Sequence, residues 1–311
     1  MSTIEYKISK KSLILYGLED KLDFLIKLYN AKKLPRVLMI SGEKGIGKCT
    51  LITHFLNYVF DKENYNLEDN SINDQTKFFK QYVGGIFPNI IYLSGDAFKN
   101  IRIDDIRELK SKILKSTILK KKRFIILDDI ELFNINSLNG LLKVIEEPSS
   151  ENYFILINNK SKPLIKTVYS RSLEIKILLK NEDRIKIIKS IIEKNNLDIL
   201  IDFNLFNLTP GKFLLFNGIC NVNKINIDDD YLKNFKTLLS IYKKNKDINL
   251  IYMILFLTDC YFYSRKTKNQ GSLEKIIQDK SFVTNNINKF IEFNLNQTSL
   301  INSITNRLSN V

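Results

Sequence analysis

Histidine and cysteine are scarce in this sequence, and their scarcity excludes several kinds of active site. His54 is the single histidine, so a Ser-His-Asp triad or a metal site built from several histidines is nearly excluded. Cys49, Cys220 and Cys260 lie far apart and lack the paired spacing that zinc sites require. Because these thiols have no evident disulfide partners, we expect a reducing compartment and a cytoplasmic protein.

Long hydrophobic runs are also missing. The most apolar stretch, residues 250–257, is far shorter than the roughly 20 residues that a membrane-spanning helix needs. The first eleven residues are polar and lack the apolar segment of a signal peptide. We therefore expect no membrane partner, and we interpret residues 250–257 as part of a buried helix.

Arginine is rare although the chain is strongly basic. The formal net charge is +14, but 40 of the basic residues are lysines and only 8 are arginines. A net positive charge suits a polyanionic partner such as DNA. A general bias towards lysine produces the same charge as solvated surface, so both interpretations remain open.

Short apolar runs alternate with amphipathic segments in the first part of the chain. The candidate strands are residues 37–41, 90–93, 124–128, 153–157 and 173–177, with helical segments such as 104–115 and 137–146 between them. Strands separated by helices predict a parallel sheet with both faces covered, so we expect an α/β fold. Residues 61–81 are polar and irregular, and we interpret them as an insertion or a helix pair at the rim.

Beyond residue 180 the strand pattern ends and helical periodicity continues alone. The predicted helices are residues 181–194, 231–244, 247–264 and 282–308. We place domain boundaries near residues 180 and 220. The expected organisation is an α/β domain at 1–179, a small helical domain at 180–220 and an all-α domain at 221–311.

A glycine-rich loop follows the first predicted strand and precedes an amphipathic helix. It reads Gly-Glu-Lys-Gly-Ile-Gly-Lys-Cys-Thr over residues 42–50, which is the spacing of a phosphate-binding P-loop. Such glycines let backbone N–H groups converge on phosphate oxygens, and the lysine reaches the terminal phosphates. A purely structural glycine turn is the alternative. The candidate ligands of ATP or ADP are Gly42, Gly45, Ile46, Gly47, Lys48, Cys49 and Thr50.

Two features of the loop and its partner strand predict weak hydrolysis. A P-loop lysine is normally followed by Ser or Thr, whose hydroxyl binds Mg²⁺, but here Cys49 carries a soft thiol. The strand at 124–128 ends in Asp128 and Asp129, where P-loop proteins place a metal-side acid and an acid that activates water. Asp129 is one methylene shorter than the usual glutamate. We expect phosphate binding to be retained better than hydrolysis.

The segment after these acids resembles a known family. Residues 137–148 read Ser-Leu-Asn-Gly-Leu-Leu-Lys-Val-Ile-Glu-Glu-Pro and resemble the Asn-Ala-Leu-Leu-Lys-x-Leu-Glu-Glu-Pro-Pro block of bacterial clamp-loader subunits. The motifs at 85–89, 103–107 and 170–172 resemble further family motifs in the same order. The resemblance covers about residues 15–215. It identifies the chain as a member of the AAA+ clamp-loader family of bacterial DNA polymerase III, and it is stronger to the delta-prime branch than to the tau/gamma motor branch.

The resemblance implies roles for three further residues. Asn158 resembles the polar residue that ends the sensor 1 strand, and Lys212 lies where the lid carries sensor 2. Arg171, in Ser-Arg-Ser, resembles the arginine that acts as a finger on the ATP of a neighbouring subunit. Many family members also carry a four-cysteine zinc module, but residues 61–88 contain no cysteine, so we expect no zinc.

The resemblance also implies a fold and an activity. We expect a P-loop AAA+ domain, a helical lid and a C-terminal helical collar, acting in a clamp loader with the tau/gamma and delta subunits, the sliding clamp and primed DNA. In this hypothesis the chain is a stator whose own ATPase activity is weak or absent, with Asp129 as its candidate catalytic acid and Asp128 as its candidate Mg²⁺ ligand. The alternative is an ATP-hydrolysing motor, either tau/gamma-like or another AAA+ ATPase.

Overall fold

The computed structural model describes residues 13–95, 101, 103–114, 121–204 and 206–309. They form two compact units. Of these residues, the sheet unit contains 13–197 together with Asn204–Lys212, and the helical unit contains Asp198–Phe203 and 213–309. The predicted division into a lid at 180–220 and a collar at 221–311 stays a prediction.

Five parallel strands form the sheet, as predicted. They are β1 (Val37–Ser41), β4 (Ile90–Ser94), β5 (Arg123–Asp128), β6 (Asn152–Asn158) and β7 (Leu173–Lys176). Their order across the sheet is β4-β5-β6-β1-β7, so the first strand lies between β6 and β7. Because all five strands are parallel, their carboxyl ends share one edge, and Ser41, Asp128 and Asn158 end three adjacent strands there.

Helices cover both faces of this sheet. They are α1 (Glu19–Asn30), α2 (Lys48–Phe60), α4 (Ile103–Leu114), α5 (Ile135–Glu146), the short α6 (Lys166–Tyr169) and α7 (Asn181–Asn195). Alternate residues of each central strand enter different cores. On β5, Phe124 and Ile126 pack with α1 and α2, whereas Ile125 and Leu127 pack with α4 and α5. This double burial explains why the strands are continuous apolar runs.

The segment predicted as an insertion or a helix pair contains one α-helix and a small hairpin. Strands β2 (Tyr65–Asn66) and β3 (Ser71–Ile72) pair antiparallel, and α3 (Lys77–Val83) follows them. The Thr76 side chain accepts a hydrogen bond from the Phe79 N–H and caps α3. The helix-pair interpretation was therefore wrong for the first half of this segment, where polar residues form a turn.

Five helices dominate the second half of the chain. They are α8 (Pro210–Asn223), α9 (Tyr231–Asn245), α10 (Ile248–Thr267), α11 (Leu273–Glu292) and α12 (Gln297–Ser309). The single helix predicted at 282–308 is wrong, because Asn294 adopts a φ of 48° and separates α11 from α12. Helix α11 also begins earlier, at the N-cap Ser272. No described helix has the combination of length and apolar character that crossing a membrane requires.

A buried carboxylate joins three helices of the helical unit. Asp279 on α11 is fully buried, and it accepts hydrogen bonds from Arg265 of α10 at 3.3 Å and from Arg307 of α12 at 2.8 Å. A second pair joins α10 to α11 at the surface, where Lys280 lies 2.8 Å from Asp259. A buried charge depends strongly on its partners, whereas an exposed pair is screened by water.

We predict that Asp279→Asn lowers the free energy of unfolding of the helical unit by about 3 kcal/mol, because it leaves two guanidinium groups without their carboxylate. Amide hydrogen exchange in α10 and α11 measures this local stability. The matched control is Asp259→Asn, which should change it by less than about 1 kcal/mol. Equal losses in the two variants would contradict the prediction.

Candidate functional site

The phosphate loop has the strand–loop–helix context that the sequence predicted. The loop leaves β1 at Ser41 and enters α2 at Lys48, and within it Gly45 and Gly47 have φ values of 91° and 95°. These values lie in the left-handed region, which favours glycine. Ile46 and Thr50 are buried, and the Ile46 side chain belongs to the core on the α1–α2 face.

Lys48 bonds to the carbonyl groups of its own loop. Its Nζ donates to the Gly42 oxygen at 2.8 Å and to the Glu43 oxygen at 2.7 Å, and only 3% of the residue is exposed. Burial lowers the pKa of this ammonium group to about 8, although nearby Asp128 favours the charged form. In this conformation the ammonium group of Lys48 is bound by the backbone of its own phosphate loop.

Residues 209–212 lie directly against the phosphate loop. The Thr209 hydroxyl donates to the Lys44 carbonyl at 2.9 Å, and the Gly211 N–H donates to the Gly45 carbonyl at 2.8 Å. A Cβ atom on Gly45 would overlap the Thr209 hydroxyl, and one on Gly211 would lie 2.9 Å from the Gly45 Cα. The contact therefore requires glycine at both positions.

Lys212, the predicted sensor residue, lies beside the start of the loop. Its Nζ is 2.8 Å from a carboxylate oxygen of Glu43, and both side chains are partly exposed. Contact with the loop is present, but a nucleotide-sensing role stays a prediction.

Arg184 holds the segment that covers the loop, and sequence reasoning did not single it out. This buried residue of α7 donates to the Leu208 carbonyl at 3.1 Å and to Asn181 Oδ1 at 2.7 Å. Thr209 follows Leu208 directly, so the guanidinium fixes the backbone that touches Lys44. Its only signal in the sequence was the rarity of arginine.

Cys49, Tyr92 and Asp128 meet where a P-loop protein holds its metal ion. The Tyr92 hydroxyl donates a short hydrogen bond to Asp128 Oδ2, and the Cys49 Sγ lies 3.7 Å from that hydroxyl and 3.9 Å from the carboxylate. Burial of the phenol, with the adjacent thiol and carboxylate, raises the pKa of Tyr92, so it remains a donor. Tyr92 was missed because a tyrosine inside a strand has no distinguishing pattern.

These three side chains do not fit a magnesium ion. Mg²⁺ prefers hard oxygen donors in octahedral geometry, whereas Cys49 offers sulfur. Asp128 accepts from the Tyr92 hydroxyl through Oδ2 and from the Asp129 N–H through Oδ1, at 3.0 Å. Both oxygens of the predicted metal ligand are therefore engaged within the protein.

Asp129, the predicted water-activating acid, is bound by two side chains. Asn159 Nδ2 donates a short hydrogen bond to its Oδ1, and Lys44 Nζ lies 3.3 Å from the same atom. The residue is buried and has a φ of 52°. A carboxylate held by an ammonium group and an amide is a poor base, because both partners stabilise its charged form.

The structure brings the side chain of Asn159, rather than that of Asn158, to Asp129. The Asn158 side chain donates to the Tyr169 hydroxyl at 2.9 Å and accepts from the Lys160 N–H at 2.8 Å. Glu131 orders the next residue by accepting from the Asn159 N–H at 3.1 Å. The sensor role assigned to Asn158 stays a prediction, and Asn159 is the neighbour that sequence reasoning missed.

Arg171 lies at the surface of the sheet unit, just after α6. Its Nη2 is 3.0 Å from Glu146 Oε1, and its Nη1 donates to the Thr167 carbonyl at 3.2 Å. Its side chain is 30% exposed. The predicted finger is thus accessible from outside the chain.

Comparison with known proteins agrees with this geometry. A family model described as "DNA polymerase III, delta subunit" matches residues 17–181, just over half of the chain. The gamma subunit of DNA polymerase III from Buchnera aphidicola subsp. Schizaphis graminum is 26% identical over 238 residues, which is 73% of this chain and 62% of that protein. The delta' subunit from Buchnera aphidicola subsp. Acyrthosiphon pisum is 23% identical over 304 residues, which is 92% of this chain and 89% of that protein.

The extent of these matches varies. In three of the curated relatives, the chain spans only 41% to 62% of the relative's own length. A crystal structure of a DNA polymerase III gamma subunit-related protein from Thermotoga maritima has a TM-score of 0.50 at 16% identity, and the match covers 92% of this chain and 97% of that one. That likeness shows the fold and agrees with the predicted α/β domain followed by helices. By its matched family model, the chain belongs to the DNA polymerase III delta subunit family, as the resemblance to AAA+ clamp-loader subunits predicted.

Proposed function

We propose that this chain is a delta-prime-type subunit of a DNA polymerase III clamp loader. It hydrolyses little or no ATP itself and supplies Arg171 to the ATP site of a neighbouring subunit. The observation that carries the proposal is the hydrogen bond from Tyr92 to Asp128, because it engages the acid that a motor subunit needs for its metal ion.

Two further contacts support a subunit without its own hydrolysis. Asp129 is bound by Asn159 and Lys44, and Lys48 is bound by carbonyl groups of the loop. In the proposal the phosphate loop is a structural element, and a nucleotide bound there turns over slowly.

The proposed role of Arg171 rests on its chemistry and its exposure. A guanidinium group is always charged and has a planar fork that matches phosphate oxygens, which lysine does not offer. In related NTPases an arginine supplied by a neighbour stabilises the charge that develops during phosphoryl transfer. The exposed side chain of Arg171 is suited to such a contact.

The proposed partners follow from the family. They are the tau/gamma and delta subunits, the sliding clamp and primed DNA, in a cytoplasmic assembly. Within it, residues 180–220 would form the lid and residues 221–311 the collar that joins the ring. The net charge of +14 favours contact with a polyanion such as DNA.

A motor subunit is the second candidate. Gly45, Gly47 and Lys48 are intact, and relatives named as gamma or tau subunits are as similar as those named delta'. Phosphate release by the chain without a motor partner, in the presence of clamp and primed DNA, would favour this alternative.

We predict that Arg171→Ala reduces ATP hydrolysis by a reconstituted loader. Because an arginine finger contributes about 10³-fold or more in related NTPases, the adjacent site should become silent while ATP binding is retained. Phosphate release with clamp and primed DNA measures the rate.

The control for this experiment is Lys166→Ala, which removes an exposed positive charge from α6 but leaves the guanidinium group of Arg171 in place. It should leave the rate unchanged. An unchanged rate in the Arg171 variant, or equal losses in the Arg171 and Lys166 variants, would refute the proposed role of Arg171 as an arginine finger.

We also predict that Cys49→Thr with Tyr92→Phe creates a metal-dependent site. The double variant has a hydroxyl at the metal position and releases Asp128 from its phenol, so a fluorescent ATP analogue should bind the isolated chain about tenfold more tightly with Mg²⁺ than with EDTA. The wild-type chain should show no such difference.

The matched control keeps Cys49→Thr and replaces a different buried phenol, Tyr82→Phe. The Tyr82 hydroxyl lies 3.0 Å from Thr53 Oγ1, and no hydrogen bond joins it to Asp128 in the described residues. This pair should not gain metal dependence. Strong metal dependence in the wild type would mean that the phenol does not block the site.

A further inference from the structure

We infer that Glu146 is a positioning residue, which holds the Arg171 guanidinium group in place for the neighbouring ATP site. This inference rests on the proposed function and extends it to a second residue, whose carboxylate would touch neither the nucleotide nor the attacking water of the neighbouring site. Its basis is the ion pair between the end of α5 and the residue after α6.

The guanidinium group is held from two elements. Glu146 Oε1 lies 3.0 Å from Nη2, while Nη1 donates to the Thr167 carbonyl at 3.2 Å and to the Ser170 hydroxyl at 3.3 Å. Helix α6 has only four residues and anchors one side of the group weakly. The twelve-residue α5, packed on the sheet, supplies the second anchor through Glu146.

The third nitrogen of the guanidinium group, Nε, indicates which contacts determine the position of the Arg171 side chain. Nε of Arg171 is buried and has no hydrogen-bond partner among the described residues. A buried N–H without an acceptor costs free energy, so the side chain does not adopt this position to satisfy Nε. The three contacts of the two Nη atoms therefore determine where the guanidinium group lies.

Glu146 also occupies an unfavourable position for its own helix. It is the last residue of α5, where the helix dipole disfavours a negative charge and favours a cation such as Lys143. The Arg171 guanidinium group compensates the carboxylate there. Capping of α5 therefore does not explain Glu146, whereas fixing Arg171 does.

The experiment compares Glu146→Gln with Glu147→Gln in the reconstituted loader. The two residues are adjacent and exposed, but only Glu146 has an ion pair with Arg171 in the described structure. The reference is the part of the hydrolysis rate that Arg171→Ala removes. Small displacements of a catalytic group lower the reaction rate by up to about 100-fold. We therefore expect Glu146→Gln to retain about a tenth of the hydrolysis rate that depends on Arg171, with the KM for ATP unchanged.

Further variants separate positioning from a structural role. Glu146→Gln combined with Arg171→Ala should be no slower than Arg171→Ala alone, because the carboxylate acts only through the arginine. Glu146→Asp keeps the charge with a shorter reach and should give an intermediate rate. It also serves as the test if the glutamine variant fails to assemble.

The outcomes are distinguishable. If Arg171→Ala has no effect, the proposed function itself fails. If Arg171→Ala slows hydrolysis but Glu146→Gln and Glu146→Asp keep the wild-type rate, only the positioning role fails. A faster Glu146 variant would also overturn it, since the carboxylate would then withhold the arginine from the phosphate. A loss in Glu147→Gln equal to that in Glu146→Gln would assign the effect to surface charge.

Discussion

Tyr92 on β4 and Asp128 at the end of β5 lie on neighbouring strands, and the phenol hydroxyl donates to the carboxylate. The bond engages the acid at the end of β5, which is one of the two positions that a P-loop protein uses to hold its metal ion. Cys49 lies against both groups and adds a second departure, a thiol in place of a hydroxyl. Replacing the thiol of Cys49 alone would leave Asp128 bound to Tyr92, and releasing Asp128 alone would leave the thiol. The two departures therefore both act against metal binding.

The same edge of the sheet shows how the rest of the site depends on strand register. Parallel pairing brings the ends of β1, β5 and β6 together, so side chains distant in sequence become neighbours. The sheet does not decide which partner each one binds. Asp129 faces Asn159 and Lys44, and the loop around Lys48 faces residues 209–212. The site has the strand–loop–helix arrangement of a P-loop, but its polar groups are largely satisfied by one another.

Regular elements were predictable because their signals are local. Apolar runs gave all five strands to within one residue at either end, and the phosphate loop followed from glycine spacing. The break at Asn294 and the helix that begins at Pro210 were missed, because asparagine and proline resemble ordinary loop residues until their backbone is known. Tyr92, Asn159 and Arg184 contribute through long-range contacts that no local pattern encodes.

The distribution of arginine ties the fold to the proposed activity. In a chain where lysine is five times as common, buried arginines make contacts that a single ammonium group cannot reproduce. Arg184 joins α7 to the segment over the phosphate loop, and Arg265 bonds to both Asp279 and the Gln270 carbonyl. Arg171 has the same kind of multiple anchoring but retains an exposed face. Anchoring of that kind is more than a solvated charge needs, and it suits the proposed role of Arg171, in which a planar cation contacts phosphate on another protein.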